Sequence, residues 1–482
     1  MTPVHPVGAF RRWTRRWQLR GLDRLDPKAL QSLGARWVVR RFHYAARHVP
    51  YFRELLAERG IRSVEVRNLE GFLARCPVIG KSDVFGATPL HRLCVHGRLG
   101  QPASVLTSSG QGGLFAFGLS PRGQRRRAEA AIELGLQHAF QTDDHKTLLI
   151  NALPMGVGFT CSNVTIAETS VREDMVTALI KELGSYFEQI ILVLDPLFAK
   201  RLIDHGQEAG VDWSAYRVHA ILGEETFGEC FRSYLARRLG QDPVRWSRGI
   251  VVSSMGVAEL GLNLFFETSE TVRVRQLAQT SPEALRPGLG DWPGQVPPLL
   301  FVYDPRRLFV EVLEADSLGF GDLVVSTLDQ TQLLPLLRYR TGDRARLLDP
   351  EALDQALRAA GLVDLRLPRL PMVAVAGRSE DQLAGGRTVL DLKDALYRED
   401  WVADRVTGAF RVRSDGARCR VDVQLSPGRA EDAAAVTLRL RDLLGGADGS
   451  EGYSLQVWPS EAFPWRPLLD YERKFPYAAA SR

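Results

Sequence analysis

Between Ser104 and Ser120 an apolar run, SVL, ends in a cluster of hydroxyls and glycines, TSSGQGG, and an apolar run then resumes. Two short strands joined by a loop fit this pattern. Thr107, Ser108 and Ser109 carry hydroxyl donors, while Gly110, Gly112 and Gly113 let backbone N–H groups come close to a bound group. Such a loop suits the phosphates of a nucleotide. It is not a Walker loop, because no Gly-Lys-Ser/Thr follows. The same composition also makes an ordinary glycine-rich hairpin turn, and both readings stand on these residues alone. Two further turns place glycine beside an acid: Gly223-Glu224-Glu225, and Gly256 followed by Glu259.

The elements that must position these groups alternate. Helical spacing covers 121–140, an apolar strand TLLIN follows, then a helix over 171–186, the strand IILVL, a helix over 196–210 and the strand RVHAIL. A helix beginning near Phe227 and the strand GIVVSSM complete the series. Alternation of this kind predicts parallel strands with helices on both faces and ligands at their carboxyl ends. Ser108, Glu224, Gly256 and Glu259 are all expected just past such ends, which argues for one shared site. Earlier, spacing over 28–60 predicts helices ending at Gly60, and Asn68 is placed to cap a short helix that Pro77 closes, with Lys81 beginning the next segment. Residues 276–300, rich in Pro and Gly, are expected to form a loop. Short antiparallel strands are expected over 301–348, then a helical and Pro-rich linker. The fold class is therefore α/β: a large N-terminal domain over 1–376, with mixed and parallel sheets flanked by helices plus a β-subdomain, and a small α+β domain over 377–482.

Composition narrows the function. A chain of 482 residues exceeds one typical core. Its 45% apolar and 25% charged residues are those of ordinary soluble proteins, and no run approaches the length of a membrane span. No signal peptide opens it. The net charge of +5 suits anionic substrates without implying nucleic acid. Five cysteines without a CxxC pair read as the reduced thiols of a cytoplasmic protein. Residues 9–20, AFRRWTRRWQLR, are basic and aromatic; a membrane-surface helix, a nucleic-acid arm and a helix lying on its own domain all fit. Arg125, Arg126 and Arg127 sit at the start of a predicted helix, against its dipole, which is unusual unless an anion is near.

Taken in order, several stretches resemble the adenylate-forming superfamily, and most closely its phenylacetate–CoA ligase-like subgroup. HVPYFRELLAERGI and LEGFLARCPVIGKSDV resemble that subgroup's opening helices and its Leu-Pro-x-x-x-Lys segment. SSGQGG stands where the family has Ser-Ser-Gly-Thr-Thr-Gly. LGEE resembles the stretch whose backbone lies on adenine, and MGVAE stands for Tyr-Gly-x-Ser/Thr-Glu. PLLRYRTGD is nearly unaltered, and AGRSED resembles the Gly-Arg-x-Asp-Asp hinge. The likeness covers nearly the whole chain.

The resemblance implies an ATP-dependent ligase that joins a carboxylic acid to AMP. Charge then grows on α-phosphate oxygens, so cations and fixed donors are needed rather than a covalent nucleophile. By the same resemblance Ser108, Ser109, Gly110, Gly112 and Gly113 hold the β- and γ-phosphates, Gly223, Glu224, Met255 and Gly256 line the adenine, and Asp343 accepts both ribose hydroxyls. Glu259 holds Mg²⁺, Arg378 lies beside the hinge residue Glu380, and Lys474 promotes attack when the small domain closes. Each role has a plainer rival: Asp343 as a turn residue, Glu224 and Glu259 as helix-start acids, Lys474 as a tail lysine in water. The implied partners are an aromatic or apolar acid and an acceptor such as CoA, a carrier-protein phosphopantetheine, or an amine or hydroxyl; a homodimer is compatible. Gln111 and Gly112 replace two threonines of the family loop, Leu114 and Phe115 a basic residue and a proline, Met255 the tyrosine stacked on adenine, and Ala258 a hydroxyl. These departures point to an alternative, a non-catalytic relative that binds nucleotide or acyl-adenylate as a sensor or partner subunit.

Overall fold

The computed structural model describes residues 6–22, 26–108, 110, 113–154, 157–415, 418–444, 453–465 and 469–478. The hairpin expected around the glycine loop is present. Strands β1 (Ser104–Thr107) and β2 (Phe117–Ser120) pair antiparallel, with Thr107 opposite Phe117.

One sheet of eleven strands dominates the chain. Its members are β3 (Thr147–Asn151), β4 (Thr165–Glu168), β5 (Gln189–Leu194), β6 (Val218–Leu222), β7 (Val251–Val257), β8 (Gly261–Phe266), β9 (Leu299–Val302), β10 (Leu308–Leu313), β11 (Gly321–Thr327), β12 (Tyr339–Leu348) and β13 (Met372–Arg378). Across the sheet they run β10-β11-β12-β13-β9-β8-β7-β6-β5-β3-β4. From β4 to β7 the pairs are parallel, and from β7 to β10 they are antiparallel. The parallel half carries the continuous apolar runs that burial on both faces requires. Its crossover helices, Glu173–Leu183, Pro196–Glu208 and Glu229–Arg238, match the expected alternation. Asp195 shows how one is started: its carboxylate accepts from the N–H groups of Leu197 and Phe198, and Pro196 fills the first helical position.

The change of direction falls at β7. That strand turns directly into β8 through Ala258-Glu259-Leu260, closed by a bond from the Leu260 N–H to the Val257 carbonyl at 2.8 Å. Gly256 thus lies inside a strand rather than past its end, whereas Glu259 lies two residues beyond it. The segment 276–300 is also not the loop expected. It holds the end of one helix, Ser269–Thr280, and a second, Pro282–Leu289. Pro282 begins a helix here instead of breaking one, because a first-turn position needs no N–H.

In the N-terminal region the Asn68 side chain caps Leu69–Arg75 by accepting from the Gly71 N–H at 2.9 Å. The basic segment 9–20 belongs to a helix, Pro6–Leu22, laid against the helix Arg122–Phe140. Arg15 pairs with Glu133 at 2.7 Å and with Asp143, while Phe10, Trp13 and Trp17 stay exposed.

A second sheet follows β13. Strands β14 (Val406–Asp415) and β15 (Arg418–Leu425) pair antiparallel, and β16 (Tyr453–Trp458) joins β15 in parallel. The apolar core continues from this region into the large sheet's helices. The Tyr397 ring lies 4.7 Å from Phe231, and Tyr471 lies 5.6 Å from Phe198. Among the described residues no helix is long and apolar enough to cross a membrane.

Candidate active site

The hairpin meets the Glu259 turn through a glycine. A Cβ at Gly118 would stand 2.1 Å from the Ala258 carbonyl oxygen and 3.4 Å from the Glu259 Cα, so β2 rests on the turn backbone. At the base of the hairpin loop, Ser108 donates its N–H to the Ala116 carbonyl at 3.0 Å and accepts the Ala116 N–H on its Oγ at 2.9 Å. Gly110 and Gly113 take left-handed φ values of +68° and +80°. The Phe115 ring covers Gly110 so closely that a Cβ there would lie 2.5 Å from it. Ser109, Gln111 and Gly112 lie outside the described residues.

Glu259 is 7% exposed and accepts the Tyr339 hydroxyl at 2.5 Å on Oε1. Burial, and then the Glu259 charge, push the Tyr339 pKa up, which keeps the phenol a donor. Tyr339 opens β12, and the Pro77–Lys81 segment is stitched alongside it. The Ile79 N–H donates to the Arg338 carbonyl at 3.0 Å and the Arg340 N–H to the Ile79 carbonyl at 2.9 Å. This brings Lys81 to the site. Its pKa is pushed down by burial, drawn up by Glu259 and pushed down by Arg378, so the three charges lie within electrostatic reach of one another.

Asp343 projects from β12 at a break in register beside Gly342, which has φ +87°. It stands opposite Arg378 on β13, with Nε and Oδ1 3.9 Å apart. Burial raises the Asp343 pKa, against the pull of Arg378, of a hydrogen bond with Thr341 and of Lys474. Gly377 (φ +93°) lets the chain pass Thr226, whose Oγ1 would lie 3.7 Å from a Cβ at that position.

The loop after β6 holds the remaining pieces. Gly223 comes close to Ser254, the neighbour of Met255, since a Cβ there would lie 3.6 Å from the Ser254 carbonyl oxygen. Met255 is half-buried opposite Phe265 in the β7–β8 pair. Glu224 adopts φ +70°, unusual for a residue with a side chain. Lys474 binds it twice, with Nζ 2.9 Å from the carbonyl oxygen and 2.9 Å from Oε2. Lys393 does the same for the next residues, 2.7 Å from Glu225 Oε2 and 3.2 Å from the Thr226 carbonyl oxygen.

Two ion pairs, Lys474–Glu224 and Arg378–Asp343, thus lie within electrostatic reach of each other and of Lys81 and Glu259, all drawn from distant parts of the chain. A cavity of about 730 Å³ adjoins them beyond the Glu259 turn, lined by Leu260, Leu262, Leu153 and Phe159 among others, with none of those six charged residues in its wall. Three polar participants were not singled out as site residues from the sequence. Tyr339 sits within RYRTGD and Lys81 closes the matched PVIGK stretch, so both had a signal; Lys393 had none.

The fold is that of an adenylate-forming ligase. The structure overlays on 2-hydroxyisobutyryl-CoA ligase in the postadenylation state in complex with R3-HIB-AMP, with a TM-score of 0.64 and 13% identity over 95% of this chain and 90% of that one. The same ligase in an open conformation with 2-HIB-AMP and CoA gives 0.54 at 14% identity, over 94% and 91%. In its thioesterification state, with the same ligands, it gives 0.53 at 15% identity, over 94% and 89%. No protein-family profile matches the sequence, and a search of curated protein sequences returns no match.

Proposed function

We propose that this chain is an ATP-dependent carboxylate-activating ligase that forms an acyl-adenylate and releases pyrophosphate. What carries the reading is the convergence of Lys81, Glu259, Asp343, Arg378 and Lys474, residues from five separate stretches, on one cleft of this fold. In the proposed reaction a carboxylate oxygen attacks the α-phosphorus while the bond to the bridging oxygen of pyrophosphate breaks. No proton moves, and the requirement is for cations around the phosphate oxygens. Lys474, Lys81 and Arg378 supply them. Asp343 accepts the ribose hydroxyls, the Gly223–Thr226 backbone and Met255 border the adenine, and Ser108 with the glycine loop receives the β- and γ-phosphates.

Glu259 fits a single-carboxylate Mg²⁺ site. Tyr339 takes one of its oxygens, and among the described residues no group of three or more His, Cys, Asp or Glu competes to hold a metal. A hard cation bound through one carboxylate takes its other ligands from phosphate and water. Bound Mg²⁺ would neutralise charge on the leaving pyrophosphate.

The division into residues 1–376 and a mobile 377–482 belongs to the same proposal. The better overlay on the postadenylation state supports reading the present arrangement, with Lys474 over the nucleotide loop, as the one that serves adenylation. The acid is aromatic or apolar, in keeping with the cavity's leucines and Phe159, and a phenylacetate–CoA ligase-like enzyme acting in biosynthesis is the subgroup proposed. The acceptor is CoA, a carrier-protein phosphopantetheine, or an amine or hydroxyl. The test is acid-dependent exchange of labelled pyrophosphate into ATP across a panel of acids. Exchange with any acid supports the ligase; nucleotide binding without exchange for every acid would favour the sensor reading instead.

A further inference from the structure

We propose that the helix Pro6–Leu22 docks the protein on an anionic lipid surface, with Phe10, Trp13 and Trp17 entering the headgroup layer and Arg12 and Arg20 meeting lipid phosphates. The sequence leaves three readings of this basic, aromatic segment open, and the helix's orientation separates them. Phe10, Trp13 and Trp17 share one face at i, i+3 and i+7, and they are 65%, 62% and 67% exposed. The Phe10 and Trp13 rings stack with their centres 6.1 Å apart. Arg15, two positions from each tryptophan, falls on the opposite side and is 6% exposed.

The charged side is therefore the one turned to the protein. Arg15 binds Glu133 at 2.7 Å and Asp143 at 2.9 Å, Arg11 donates to the Ser162 hydroxyl at 3.0 Å and lies 4.0 Å from Glu133, and Arg16 pairs with Asp144. A helix that only covers its own domain turns its apolar stripe inward and leaves its charges in water. This helix is reversed, and the two-acid socket that buries Arg15 fixes the reversal. Glu133, Asp143 and Asp144 are the acids it meets among the described residues, and Arg11, Arg15 and Arg16 answer them. Arg12 and Arg20 make no ion pair among those residues, and the helix has no acid of its own.

Large rings left in water gain free energy on entering an apolar layer. Tryptophan suits the boundary between headgroups and acyl chains, because its body is apolar and its N–H polar. Arg12, Arg16 and Arg20 recur at four-residue spacing along one flank of the ring stripe. Stripe and flank together carry cations and no carboxylate, so charge complementarity selects an anionic surface. A nucleic-acid arm needs its cations outermost, and here rings are outermost with Arg12 and Arg20 alone unpaired beside them. The supporting helix, Arg122–Phe140, also lines the 730 Å³ cavity through Ala128, Glu129 and Ile132, so the lipid face and the cavity share one element. Docking itself does not depend on the ligase reading.

The test uses the full chain and vesicles of phosphatidylcholine with or without about 30% phosphatidylserine. Co-sedimentation is expected with the anionic vesicles, about tenfold or more weaker with phosphatidylcholine alone, and weakened as NaCl rises from about 0.1 to 0.5 M. Trp13→Ser combined with Trp17→Ser should lower the affinity about tenfold or more and leave the thermal midpoint unchanged. Arg12→Gln combined with Arg20→Gln should remove most of the preference for anionic lipid. No binding to anionic vesicles, or binding unchanged in the tryptophan variant, overturns the proposal. Should that variant not fold, an unchanged lipid preference in the arginine variant overturns it. So does association with oligouridylate, or with a second copy of the chain, that depends on Trp13 and Trp17 and takes the place of vesicle binding. Pyrophosphate exchange is measured in solution without vesicles, so the failure of either reading leaves the other standing.

Discussion

Lys474 and Glu224 lie 250 positions apart and are joined at two points, the ammonium meeting a carbonyl oxygen and a carboxylate oxygen of the same residue, each at 2.9 Å. Glu224 is the residue whose backbone turns left-handed immediately after β6. Its carbonyl and side chain thereby become a clamp for the C-terminal segment. Asp343, across the cleft, also feels Lys474. The ammonium is thus set between two acids at the place where the proposed nucleotide would lie, 24% exposed.

Lys474→Ala should separate chemistry from stability. A partly exposed ion pair contributes at most about 1 kcal/mol, so the thermal midpoint should hardly move. Pyrophosphate exchange should fall by about a hundredfold or more, as expected when a charge-stabilising donor is removed. Transfer from a supplied acyl-adenylate should persist. Equal loss of both half-reactions would take Lys474 out of the adenylation step.

Asp343→Asn should do the opposite to stability. Burial raises the pKa of Asp343, so as pH rises the unfolded chain ionises first and the fold loses stability until the folded group ionises too. The loss is present at pH 7, and asparagine avoids it. The variant should melt at or above the wild-type temperature at pH 7, with its advantage fading as pH approaches about 4. The apparent KM for ATP should rise about tenfold or more. Unchanged ATP affinity would argue against ribose contact.

What the sequence made legible follows from local rules. Continuous apolar runs flanked by helices marked the parallel strands, Asn68 marked a helix start, and RYRTGD marked the strand that carries Asp343. Other features depend on partners far away in sequence. Arg232 and Arg275 look like helix-surface charges, yet both are buried. Arg232 lies 2.9 Å from Glu229 and 2.8 Å from Glu267, and Arg275 lies 2.7 Å from Glu229. Periodicity registers each residue singly and cannot foresee that four charges neutralise one another. Gly256 was misplaced because β7 continues into a hairpin where alternation predicts a loop and a helix. The anomaly at Arg125 to Arg127 was visible, but the cavity it lines was not.

Gly118→Ala tests the contact between hairpin and turn. The added methyl meets a backbone carbonyl at 2.1 Å, and a carbonyl cannot rotate aside as a flexible side chain can. Either β2 or the Glu259 turn must shift. Denaturant unfolding should show a loss of about 1–3 kcal/mol. Exchange should fall more than unfolding alone explains, because Glu259 moves with the turn. Wild-type stability and rate together would mean that the two elements are not in rigid contact.

His219 makes the strand leading into the Gly223–Glu224 loop sensitive to acid. It is buried on β6, accepts the Ile250 N–H on Nδ1 at 3.2 Å and packs its ring 4.9 Å from Phe140. Burial first, then Arg217 and His145, push its pKa down to about 3. The unfolded chain therefore takes up this proton first as pH falls, near 6.5. Stability is lost below that point at up to about 1.4 kcal/mol per pH unit, and the loss levels off only near the folded value. His219→Gln keeps an acceptor for Ile250 and removes the titration. Urea unfolding at pH 7 and pH 5 should show a drop about 1–2 kcal/mol smaller for the variant than for wild type. Because β6 ends at Leu222 and hands the chain to Gly223 and Glu224, the same pH range should weaken ATP binding in wild type more than in the variant. Parallel pH dependence in the two proteins would show that His219 takes its proton without opening the strand.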